Sequence, residues 1–98
     1  MKRFEVEFSE AAIADLDASF EWGCEMWGPP QAAKWYFEMR DTINELLSKS
    51  PRGCPLAPQQ QRYKVETRVL VIDRYNVLFH LDGKLVTILH IRGPFAER

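Results

Sequence analysis

Residues 67–92 read TRVLVIDRYNVLFHLDGKLVTILHIR, and this stretch decides the fold class. Three runs dense in β-branched and aromatic residues, 67–72, 75–81 and 84–92, are separated only by Asp73-Arg74 and Asp82-Gly83. Such residues suit a pleated surface, and an Asp-Gly link suits the tight turn of an antiparallel hairpin. The spacing therefore predicts a three-stranded meander. Gly93-Pro94 ends it, because proline has no N–H to give to a sheet ladder.

Working back from the meander, residues 51–63 hold three prolines, a glycine and three consecutive glutamines, without periodicity. They read as a loop. Before it, Ala32, Tyr36, Met39, Ile43 and Leu46 recur at helical steps, up to Ser50-Pro51. Ile13, Leu16, Phe20 and Trp27 do the same after Ser9, a helix N-cap followed by acidic Glu10. Gly28-Pro29-Pro30 separates the two helices, so they should fold back as an antiparallel hairpin. At the start, Phe4, Val6 and Phe8 alternate with Arg3, Glu5 and Glu7, as in a strand over residues 2–8. The order β-α-α-β-β-β predicts one α+β domain over 1–98, an antiparallel sheet with the helical hairpin packed on one face. The first strand must join an edge of that sheet. On the opposite face Asn76 and His80 accompany Leu78, while plain alternation puts His90 and Arg92 beside Val86 and Ile88. A face mixing apolar and polar residues, with no element left to cover it, reads as a docking surface.

Composition sets the remaining bounds. Net charge is −1, but residues 1–50 carry five Lys/Arg against ten Asp/Glu, and residues 51–98 carry eight against four. A basic C-terminal half points to an anionic or acidic partner, although solvated strand edges also carry such charges. Cys24 and Cys54 read as reduced thiols rather than a disulfide scaffold or metal pair. Neither a membrane-spanning run nor an apolar signal core is evident, so the expectation is a cytoplasmic protein with no membrane partner. Phosphate-loop, nucleophile-elbow and zinc signatures are also missing from the sequence, which predicts no cofactor and no metal.

What remains is a group of cationic and aromatic residues: Arg62, Tyr63, Lys64, Arg68, Arg74, Tyr75, His80, His90 and Arg92. Metal-free RNA cleavage needs a group to help the 2′-hydroxyl attack, a charge to neutralise the phosphorane and an acid for the leaving oxygen. Arginine suits the second role, histidine or lysine the others. The plainer reading is a set of surface histidines, with Arg68 and Arg92 solvated or paired with Glu66 and Asp82.

The segments Cys54-Pro55-Leu56-Ala57-Pro58, Glu66-Thr67-Arg68-Val69-Leu70, Tyr75-Asn76-Val77-Leu78-Phe79 and Val86-Thr87-Ile88-Leu89-His90-Ile91-Arg92 resemble, in order, motifs of RelE/ParE toxins. The resemblance implies a type II toxin, often a plasmid-stabilisation factor, neutralised by a cognate antitoxin and contacting operator DNA only through it. RelE-like members cut mRNA on the ribosome; ParE-like members inhibit DNA gyrase. Two departures matter. Asn76 stands where RelE-like nucleases place a phosphate-binding arginine, and Gly93-Pro94-Phe95 follows Arg92 where a histidine would begin. An uncharged amide cannot replace an arginine aimed at transition-state charge.

Three readings follow. The first is a ParE-like inhibitor of a target such as gyrase, without nuclease activity. The second is a ribosome-dependent mRNA interferase with catalytic candidates Arg68, Arg74, His90 and Arg92. The third is a non-toxic relic that only binds its antitoxin. Binding candidates are Trp35, Arg68, Arg74, Asn76, His80, His90 and Arg92, with Trp35 expected to be an exposed anchor off the helical stripe and Trp27 expected to pack between the helices.

Overall fold

The computed structural model describes residues 3–58 and 64–93. Arg62, Tyr63, Pro94 and Phe95 lie outside them. Elements follow the expected order: β1 (Glu5–Phe8), α1 (Glu10–Trp27), α2 (Pro29–Lys49), a 3₁₀ turn (Pro51–Gly53), β2 (Arg68–Ile72), β3 (Tyr75–Asp82) and β4 (Leu85–Arg92). The strands form one sheet in the order β1-β4-β3-β2. The meander is antiparallel as expected, but β1 joins β4 in parallel, so the sheet is mixed. The helical hairpin carries the chain away and back before the meander begins, which is the kind of long connection parallel neighbours require. The second meander turn is Gly83-Lys84, one residue later than the sequence suggests, with Gly83 at φ 61° and Asp82 still paired to Leu85.

Both helices pack on one face. Leu16, Met39, Ile43 and Leu47 meet Tyr75, Val77, Phe79, Val86, Ile88 and Ile91 in a single core, with Phe79 fully buried. Of the expected Ile13, Leu16, Phe20 and Trp27, only Leu16 is in the buried stripe of α1, which is otherwise made of the small residues Ala12, Ser19 and Gly23. Small residues let the helices approach: a Cβ added at Gly23 would sit 3.2 Å from that of Ala32. Steps of four continue the α2 ridge from Met39 through Ile43 to Leu47, turning Leu46 outward. Trp27 falls in the last turn of α1, where it rests edge-on against Trp22 and stays 46 % exposed. Trp35, in contrast, packs on the core, its ring 5.4 Å from that of Tyr75. The expectations for these two tryptophans are thus reversed.

The sheet edges are covered by short segments. The Ala57 amide donates to the Thr67 carbonyl and the Val69 amide to that of Pro55, fixing residues 55–57 along β2. Phe4 N–H donates to the Ser48 carbonyl beside β1. Where β1 ends, α1 takes over the edge of β4. Ser9 caps the helix by accepting from the Ala12 amide and donates its own hydroxyl to the Leu89 carbonyl at 3.1 Å. Asp15 Oδ2 then accepts the Ile91 amide at 2.9 Å. Side chains on a helix thereby satisfy strand groups that would otherwise be left unpaired.

Candidate functional site: the open face of the sheet

The site depends on one irregularity in β4. Phe79 pairs with Ile88, and the next residue back, Leu78, pairs with His90, which leaves Leu89 as an extra residue in the ladder. Such a bulge reverses the facing of everything beyond it. Ile91 therefore joins Val86 and Ile88 in the core, and His90 and Arg92 turn to the opposite face. Plain alternation had put them with Val86 and Ile88, and the bulge corrects that.

The face away from the helices now holds a contiguous set. Arg92 lies directly across from Asn76, His90 across from Leu78, and Thr87 across from His80. Val71 and Val69 extend the rows on β2, opposite Asn76 and Leu78. Cross-strand neighbours of this kind lie about 5 Å apart, within mutual reach of one ligand group. Arg74 is exposed at the Asp73-Arg74 turn beside this patch, where Asp73 adopts the left-handed conformation (φ 54°) that aspartate tolerates in turns.

Two of the candidates are elsewhere. Arg68 pairs with core-facing Phe79, and its guanidinium donates to the Cys54 carbonyl at 2.7 Å. It fastens the 3₁₀ turn to β2 and does not join His90 and Arg92. Trp35 lies on the helical side. The open face therefore brings together Arg74, Asn76, His80, His90 and Arg92, while Arg68 and Trp35 belong to the frame.

The histidines are held from within the fold. His80 Nδ1 lies 2.8 Å from the Glu66 carbonyl. A carbonyl only accepts, so Nδ1 is the donor in this contact. His90 Nδ1 lies 3.1 Å from Asp15 Oδ2, the same oxygen that accepts the Ile91 amide. Asp15, which the sequence reading did not single out, thus orients His90 from the start of α1. Its signal in the sequence is faint: an acidic residue one turn and a half past an N-cap is ordinary.

Two titrations mark the frame. Burial pushes the Tyr75 phenol up, partly offset by its hydrogen bond with Ser19. Burial likewise pushes the Cys54 thiol up, opposed by neighbouring Arg68, so Cys54 is a poor nucleophile at neutral pH. Among the described residues no helix is long and apolar enough to cross a membrane.

The chain matches the family described as ParE toxin of type II toxin-antitoxin system, parDE, over residues 6–93. That span runs from β1 to the end of β4.

The chain belongs to the ParE toxin family.

Solved structures agree on the fold of this ParE-family chain. The chromosomal ParDE toxin–antitoxin system from P. aeruginosa superposes with a TM-score of 0.75, at 21 % identity, covering 95 % of this chain and 98 % of that one. The toxin–antitoxin complex RelBE2 from Mycobacterium tuberculosis gives 0.62 at 20 % identity, covering 93 % and 98 %. No curated protein sequence matches the chain. The chain is thus a toxin of a type II toxin–antitoxin system, with the α+β architecture its sequence predicts.

Proposed function

We propose that this toxin acts as a ParE-like inhibitor, binding a target such as DNA gyrase through the open sheet face and performing no RNA chemistry. The observation that carries the reading is the Asn76–Arg92 pair. An arginine at position 76 would put two permanent cations side by side for a phosphate; the amide leaves Arg92 alone in that row. One cation in that row beside half-buried Val69 and exposed Val71 suits a protein surface better than a developing phosphorane. The toxin is held inactive in the cytoplasm by a cognate antitoxin and meets operator DNA only as part of that complex.

One observation supports a second reading, the ribosome-dependent interferase. His80 and His90, both fixed through Nδ1, together with Arg74 and Arg92, supply the group types that metal-free cleavage requires. Purified toxin added to gyrase separates the two. Loss of supercoiling at micromolar toxin, abolished by Arg92→Ala, is the expected outcome. Unimpaired supercoiling together with A-site cuts on translating ribosomes would transfer these residues to catalysis.

A further inference from the structure

The open face of the sheet carries a second set of charges that the cationic cluster leaves unexplained. Val6 and Phe8 pack on the core, so Glu5 and Glu7, which alternate with them on β1, point to the open side and are exposed. Glu7 lies across from Thr87 and Glu5 across from Leu85, and Leu85 in turn faces Asp82. Leu81 packs on the core, which puts neighbouring Asp82 on the open side as well. Carboxylates thus gather at one end of the face, while Arg74, His90 and Arg92 hold the other.

Neighbouring charges cancel neither end. Arg3 precedes β1 but lines a cleft with Asp41, Asn44 and Glu45 at the side of α2. Asp73, next to Arg74, lies instead with Trp35, Glu38 and Thr42 on the helical side. Lys84, in the turn after Asp82, offsets one carboxylate of the group Glu5, Glu7 and Asp82 and leaves that end acidic. Lys64 and Glu66, just before β2, offset each other.

Distance decides whether the two ends act as one field. From Asn76, beside Arg92, to Asp82 the strand runs about 20 Å. Exposed charges are screened over about 10 Å at 0.1 M salt, so the ends present separate fields of opposite sign. A polyanion laid along the face would be attracted at one end and repelled at the other. A protein surface carrying both signs gains at both. The bulge in β4 makes the arrangement: without the extra Leu89, His90 and Arg92 would turn to the core side and leave Arg74 alone at the cationic end.

We propose that the open face recognises a protein surface of two signs, with carboxylates against Arg74 and Arg92 and lysines or arginines against Glu5, Glu7 and Asp82. The proposal rests on the reading that the toxin meets its target through this face, and adds what that target must present there.

The test compares intact toxins changed by the same charge in different places. Glu5→Gln combined with Glu7→Gln removes two exposed carboxylates from the open face; Glu21→Gln combined with Glu25→Gln removes two exposed ones from α1. In a gyrase supercoiling assay at low salt, the first pair should raise the half-inhibiting toxin concentration roughly fivefold, and less as salt rises. The second pair should stay at the wild-type value, and both should keep the wild-type circular-dichroism spectrum. An unchanged value for the first pair, or the same rise for both pairs, would overturn the proposal. So would a lower value for the first pair, the sign expected if the face meets nucleic acid or a uniformly acidic surface. If wild-type toxin leaves supercoiling untouched, gyrase is not the target. The induction level needed for growth arrest then replaces the half-inhibiting concentration, with the same order of variants expected and the same results overturning it. A chain that arrests no growth would discard both the target reading and the two-sign surface.

Discussion

The two faces of this toxin are built on one core and carry opposite chemistry. The helical side is acidic and presents an aromatic groove, with Phe37 standing out of it. The sheet side presents Arg74, His80, His90 and Arg92 around apolar Val69 and Val71, with Leu78 buried beneath them. The division already visible between the two halves of the sequence becomes, in three dimensions, a division between faces. A molecule with two such surfaces can engage two partners of different charge, and a substitution on one face leaves the residues of the other in place.

The change expected to do most damage removes what both faces share. Phe79 is fully buried at the centre of the sheet, touching the helical side of the core. Phe79→Ala should cost about 3–5 kcal/mol, through lost burial and the cavity left behind. Thermal unfolding would read it, and growth inhibition and capture of the antitoxin should fall together. If one face kept its activity in that variant, the two would not depend on a common core.

Next in size is the link between the faces. Asp15 reaches from α1 to the His90 imidazole and the Ile91 amide. Asp15→Ala leaves that amide without its acceptor and should cost about 1–3 kcal/mol. Asp15→Asn keeps an acceptor oxygen and should recover much of the stability. If the two variants unfold at the same temperature, the contact to Ile91 contributes nothing and the edge of β4 is held by packing alone.

Most of the fold was legible because its signals are local: the Ser9 cap, Gly28-Pro29-Pro30, the alternation of the strands and the two-residue turns each act over a few residues. What escaped is relational. The bulge at Leu89 is a matter of pairing between β3 and β4, and nothing in the run Ile88-Leu89-His90 announces it. It alone gathers His90 and Arg92 onto the face of Asn76. The exchange of roles between Trp27 and Trp35 has the same origin: periodicity gives the angle of a side chain about its helix but not whether the sheet extends that far along the axis. Phe37 and Trp35 are both large aromatics off the apolar stripe, yet one is exposed and the other packs on the core, so periodicity alone does not tell them apart.

Alkaline titration gives a smaller effect, confined to the helical side of the sheet. The Tyr75 phenol is pushed above its usual 10.0 chiefly by burial. An acid whose folded pKa is raised stabilises the fold below its unfolded pKa, and that contribution is lost as pH climbs through the folded value. Unfolding midpoints should therefore begin to drop near pH 10, and Tyr75→Phe should flatten that drop. An unchanged slope in the variant would assign the alkaline loss to other groups.

The smallest effect on stability should come with the sharpest separation of function. Phe37 and Arg92 lie on opposite faces, neither in the fully buried core. Phe37→Ser and Arg92→Ala should each change the folding free energy by no more than about 0.5 kcal/mol, the usual range for surface substitutions. Their functional effects should nevertheless be complementary. Phe37→Ser should leave growth inhibition intact while antitoxin rescue fails; Arg92→Ala should lose growth inhibition while still capturing the antitoxin. Because the two positions share no contact, the double variant should show both losses without a coupling term. A toxin in which either substitution removed both properties would mean that the two faces are one interface wrapped around the β4 edge, and Asp15, which touches both sides of that edge, would be the residue that joins them.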